Sequence, residues 1–118
     1  MKEGQFIWVR VPFAEGDGRS KTRPALILAV ANSDGHKVYL CAGVYSAADK
    51  VRGAVEVILT AEDSVKVGLE SYDKVVRFSR QHVHALLDTA VVSMVGCVSA
   101  LPPCKQVEFV RAAKSIGF

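Results

Sequence analysis

Two arginines and a set of hydroxyls fall where a rigid scaffold can present side chains to a ligand. Arg23 stands at a loop–strand junction, Tyr45 and Ser46 end a third apolar segment, and Arg77 shares a strand face with Ser79. Read as exposed arginines, Arg23 and Arg77 can be replaced without loss of fold, and two guanidiniums that converge can clamp one phosphate through bidentate contacts. Further cations flank each of them. Arg19, Lys21 and Arg23 occupy five residues that contain no acid, and Lys74, Arg77 and Arg80, followed by His82 and His84, form a run free of acid until Asp88. The overall balance of 15 Lys and Arg against 12 Asp and Glu leaves a net charge of +3, too small to imply a polyanionic partner by itself.

Other chemistries fail on inspection. The segment Gly16 to Thr22 resembles a phosphate-binding loop, but Glu15 and Ser20 stand where its two glycines belong, and Pro24 opens an apolar strand where its helix should start. His82 and His84 share a face if their strand continues, yet two ligands do not make a metal site and a third would have to come from elsewhere. There is no GxSxG elbow and no HExxH. Cys41, Cys97 and Cys104 are odd in number and lack CxxC spacing, so they read as buried thiols in a reducing compartment. No metal and no cofactor are expected.

The elements that must hold these residues are mostly strands. With 118 residues, half of them apolar and 23% charged, the chain fits one domain, residues 1–118, with one modest core. Its longest uncharged stretch, Thr89 to Cys104, is too short for a bilayer and is broken by Pro102 and Pro103. The opening MKEGQFIWVR has no apolar run behind Lys2, so the expected location is cytoplasmic, with no membrane partner. Phe6 to Val11 reads as a strand, Ala14 to Thr22 as a loop, and Ala25 to Ala31 as a strand apolar on both faces, opened by Pro24. Asn32 to Gly35 turns the chain, and Lys37 to Tyr45 returns antiparallel. Ala47 to Gly53 is a polar loop, Ala54 to Leu59 a fourth strand, Thr60 to Asp63 a capped helical turn, and Lys74 to Arg80 a fifth strand. Ala90 to Ala100 fits either a short helix followed by a strand, which is the preferred version, or one long strand, and Lys105 to Ile116 fits an amphipathic terminal helix ended by Gly117. Short strands with one late helix predict a mainly β fold closed into a small barrel.

Gly4 to Phe13, the polar loop after it, and Lys21-Thr22-Arg23-Pro24-Ala25-Leu26-Ile27-Leu28 resemble the opening of PemK/MazF-type toxins. Ala42 to Ser46 resembles the family's apolar run closing in Thr-Ser, Gly68 to Arg77 a later strand, and Val95 to Ser99 its closing Gly-x-Leu-Ser. The resemblance implies an SH3-like barrel with a C-terminal helix, a homodimer, and a toxin of a type II toxin-antitoxin system. The implied activity is metal-independent endoribonuclease cleavage of single-stranded RNA, which stops translation and growth and is restrained by a partner antitoxin protein. A ribose 2′-OH attacks the adjacent phosphate, leaving a 2′,3′-cyclic phosphate and a 5′-OH. Arg23 matches the family's arginine before proline, and Arg77 a second arginine used as acid and charge stabiliser.

On this reading Arg23, Arg77, Tyr45, Ser46 and Ser79 are the catalytic candidates, and Arg19, Lys21, Arg80 and His82 the RNA-binding ones. Tyr45 stands where the family has a catalytic threonine, and Ser79 where an aspartate follows the second arginine. The general base is then open among Asp17, Glu15 and His82, of which the histidine alone has a reference pKa near neutrality. A module that binds RNA or a protein partner without cleaving is the alternative. A gyrase poison on the same barrel gains nothing from the tail Lys114 to Phe118.

Overall fold

Apolar residues dominate the middles of the early strands because both faces of the sheet are covered there. In the computed structural model, which describes residues 1–12, 20–46 and 55–118 (side chains of 1–10, 22–46 and 55–118), Phe6, Leu26 and Ala42 face one core and Ile7, Ala25, Ile27 and Cys41 face another. The strands are β1 (Gln5–Pro12), β2 (Ser20–Ser33), β3 (His36–Ser46), β4 (Val55–Leu59), β5 (Lys74–Phe78), β6 (Val83–Leu87) and β7 (Val91–Cys97). Two helices, α1 (Ala61–Lys66) and α2 (Pro103–Ser115), complete the described elements. The protein is therefore mainly β, and every strand pair is antiparallel.

The hydrogen-bonded path runs β4-β5-β3-β2-β1-β7, with β6 also on β3, and no ladder among the described residues closes it. Register shifts between Ile27 and Ala29 and along β1–β7 add twist. A 3₁₀ turn of Asp88–Ala90 links β6 to β7, so strands on opposite margins of the five-strand portion are one short connection apart. Buried Tyr39 of β3 hydrogen-bonds Asp88 in that turn, which together with burial pushes its phenol pKa up.

The larger core lies between the sheet and α2, where Phe109 meets Phe6 and Phe78 edge-on at 6.3 and 6.1 Å. Pro103 opens α2 without needing a donor, and Gly117, at φ +98°, ends it. Thr60 caps α1 in a capping box with Asp63, as its sequence suggests. Beyond α1, Gly68 at φ +81° lets the chain pass Val95, whose Cγ1 would lie 2.8 Å from a Cβ. No helix among the described residues is long and apolar enough to cross a membrane.

Several expectations change. The fifth strand stops at Phe78, and residues 79–82 form a turn into β6, a strand absent from the sequence reading. The stretch Ala90–Ala100 is a strand between two 3₁₀ turns. Strand β2 starts at Ser20, so Pro24 is internal to it, opposite Trp8, just before the β2–β3 ladder opens at Ala25 and Gly43. Its missing donor is not needed toward β3 there. Of the cysteines, Cys41 is buried and its thiol is pushed up to about 12 by desolvation, whereas Cys97 is half-buried and Cys104 exposed.

Candidate active site

The outer edge of β3 changes partner at one residue. β6 pairs with Val38 through Ala42 and β5 with Val44 through Ser46, leaving Gly43 between them. The Gly43 N–H donates instead to the carbonyl of His82 (2.9 Å), which draws the residue 79–82 turn against the sheet. That turn carries Ser79 and His82 to the side of Tyr45. Gly43 also gives the Tyr45 ring its floor, because a Cβ there would lie 2.5 Å from the phenol oxygen and 2.7 Å from Cζ.

Three side chains from separate elements meet at that ring. Cζ of Arg77 on β5 lies 4.7 Å from the ring centroid, and Cζ of Arg23 on β2 lies 5.7 Å from it. The two cations are therefore separated by no more than the sum of those distances. The His82 imidazole meets the ring edge-on at 5.4 Å, and its Nδ1 hydrogen-bonds Ser79 Oγ. Burial first, then the positive charges of Arg77 and His84, push the His82 pKa down against the opposing pull of Glu56.

Arg77 departs from the exposed arginine the sequence suggested. It is 4% exposed and faces Glu56 across the β4–β5 ladder, with Nε 3.5 Å from Oε1. Nε lacks an aligned hydrogen bond, and among the described residues neither Nε nor Nη2, both buried, has a hydrogen-bond partner. A buried guanidinium with two idle donors is costly and demands a reason, such as an anion that completes it.

A groove of about 510 Å³ adjoins Arg23 and Tyr45, lined also by Trp8, Ser46, Tyr72 and Lys74. Its far wall is the segment after α1, pinned by Ser64 Oγ donating to the Tyr72 carbonyl and by the Ala61 N–H donating to Asp73 Oδ1, both at 2.8 Å. Ser46 is exposed in this groove. Arg80 stands apart, exposed in a cleft of about 200 Å³ with Val83, Ile116 and Phe118. The basic run from Lys74 is thus not one surface patch, since its members face different surroundings.

Arg19, Glu15 and Asp17 lie outside the described residues, and of Lys21 the description covers the backbone pairing with Val11 alone. His84 sits on β6 opposite Cys41, and among the described residues no three His, Cys, Asp or Glu side chains gather as a metal site. Sequence reading missed Glu56, Gly43, Trp8, Glu70 and Tyr72. Gly43 carried a signal, since a glycine two residues before an aromatic in a strand marks a ring lying over the backbone.

Gly43→Ala tests this packing directly. The clash falls on a movable ring, so the fold should survive while Tyr45 swings away and the His82 ring-proton NMR signals shift as the edge-on contact is lost. Unchanged His82 signals would show that Gly43 does not seat the ring. No protein-family model matches the chain, and a comparison with the curated proteins finds no match.

Proposed function

We propose that the chain is a metal-independent endoribonuclease of the PemK/MazF type, its curled sheet and α2 forming an SH3-like barrel with a C-terminal helix. The observation that carries this reading is Arg77, buried with Nε and Nη2 lacking hydrogen-bond partners among the described residues, on a tyrosine ring shared with a second arginine and a histidine of lowered pKa. A phosphodiester is the group that such an arrangement complements.

In the proposed step His82 donates Nδ1–H to Ser79 Oγ and keeps Nε2 free to take the 2′-OH proton. The 2′-oxygen then bonds to phosphorus, the P–O5′ bond breaks, and the departing 5′-oxygen takes a proton from the Tyr45 hydroxyl. Arg23 and Arg77 hold the charge that builds on the phosphoryl oxygens. His82 thereby takes the role of base, in place of the aspartate that Ser79 displaces. The protein works as a cytoplasmic homodimer on mRNA and is silenced by an acidic antitoxin peptide whose carboxylates compete with the phosphodiester for Arg23 and Arg77.

Incubating the protein with mixed-sequence single-stranded RNA in EDTA separates this reading from a non-cleaving module. Discrete fragments are expected, and a mobility shift without fragments would leave a binder. Arg23→Lys refines the test, because it keeps the charge and loses the planar fork. Cleavage should fall roughly tenfold or more with the melting temperature unchanged, and parent-like cleavage would remove Arg23 from the phosphate.

A further inference from the structure

We infer that the groove beside Arg23 and Tyr45 is a guanine subsite for single-stranded RNA, with Tyr72 as its stacking platform and Glu70 as its reader. The inference rests on the ribonuclease reading for the phosphodiester at Arg23 and names the base that lies next to it. The groove shares Arg23, Tyr45 and Ser46 with the candidate active site, and its volume of about 510 Å³ falls within the usual range of ligand pockets. Continuity of this kind puts a neighbouring nucleotide within reach of the phosphate clamp.

The lining suits a flat heteroaromatic ring. Tyr72 is 64% exposed, yet its backbone is held at both polar groups, its N–H on the Glu70 carbonyl and its own carbonyl on Ser64 Oγ. An exposed ring on a fixed backbone stacks a base at little ordering cost. Lys74 Nζ lies over one face of the Tyr72 ring, 5.5 Å from its centroid, so the base takes the other face or displaces the ammonium, whose donors stay close by. Of the two carboxylates in the groove, Asp73 is engaged by the Ala61 N–H, while among the described residues no side chain pairs with Glu70.

Those groups select among bases by hydrogen-bond pattern. A carboxylate accepts from two adjacent donors, and an ammonium donates to an acceptor next to them. The Watson–Crick edge of guanine offers that order, with O6, N1–H and the N2 amino group in a row. Uracil sets carbonyls on both sides of a single donor and repels a carboxylate, while adenine and cytosine each present one amino donor beside a ring acceptor.

The test uses short 2′-O-methyl RNA oligomers, which cannot be cleaved by 2′-OH attack, each with a single G, A, C or U in an otherwise constant abasic context, titrated by fluorescence anisotropy. The parent should bind the G oligomer roughly tenfold tighter than the others. Glu70→Gln should erase that preference, and Tyr72→Ala should weaken all four roughly tenfold or more. Equal binding of the four bases by the parent, or a guanine preference that survives Glu70→Gln, overturns the subsite. Guanosine 5′-monophosphate bound as tightly as the G oligomer would also overturn it, in favour of a free nucleotide. Because none of these oligomers is cut, a guanine preference in a protein that fails to cleave ordinary RNA would sink the ribonuclease reading and leave the subsite standing.

Discussion

Arg77→Met should cut RNA about 10²–10³-fold more slowly than the parent while unfolding at the same temperature or a higher one. The two effects come from one feature. Arg77 keeps Nε and Nη2 desolvated without hydrogen-bond partners, and its contact with Glu56 at 3.5 Å does not align a bond to Nε. A buried ion pair of that quality often contributes less than an apolar side chain of similar volume. Methionine fills much of the same space without idle donors, and the Glu56 side chain, 23% exposed, retains access to water. Stability and activity therefore pull apart, as they do where a site holds strain for function. Inorganic phosphate should raise the melting temperature of the parent and not that of the variant, because an anion that binds only the folded parent stabilises it by mass action. A variant that melts well below the parent and cleaves normally would show that Arg77 serves the fold.

His82→Gln should lose about 10²–10⁴ in cleavage rate, the usual contribution of a positioned general base. The pH profile carries the more specific test. Burial and the charge of Arg77 hold the His82 pKa below its ordinary 6.5, so the neutral, proton-accepting imidazole outweighs the charged form at that pH. Cleavage by the parent should persist at pH 6.5 and decline only as pH falls through the lower folded-state value. In Arg77→Met, with the cation gone, residual activity should decline at a higher pH than in the parent. Stability follows the same direction. The unfolded chain binds the His82 proton more readily, so this residue's contribution to stability is full above 6.5 and is lost as pH falls toward and through the folded value. An acid limb that does not move on removing Arg77 would detach the two residues electrostatically.

Local patterns told much about the strands and little about their ends. Phe6 to Val11, broken only by Arg10, and Ala25 to Ala31, apolar throughout, form most of β1 and half of β2 because α2 and the smaller core cover the two faces. Thr60 and Asp63 specify their cap within four residues, so that helix start was readable. The turn of Ser79-Arg80-Gln81-His82 holds neither glycine nor proline, and its geometry depends on the Gly43 N–H, some forty residues distant, so the fifth strand was read on to Arg80 and β6 was not read at all. Arg77 alternates with Val76 and Phe78 as the polar face of a half-exposed strand would, and what buries it comes from other elements. Its partner Glu56 is set by the register of a different strand, which no spacing within β5 reveals. For Tyr45 the residue was found and its part was not: sequence offered a hydroxyl, and the structure makes its ring the surface on which Arg23, Arg77 and His82 converge.

Analysis of the RNA ends is the most direct test of the proposed chemistry. A defined single-stranded RNA is incubated with the protein in EDTA and the products are resolved by mass spectrometry, beside the same RNA carrying one 2′-deoxy nucleotide 5′ to the cleaved bond. Attack by the neighbouring 2′-oxygen requires a 2′,3′-cyclic phosphate on one fragment, a 5′-OH on the other, and no cleavage at the deoxy position. Fragments with 5′-phosphate ends, cleavage that ignores the deoxy substitution, or RNA left intact would contradict it.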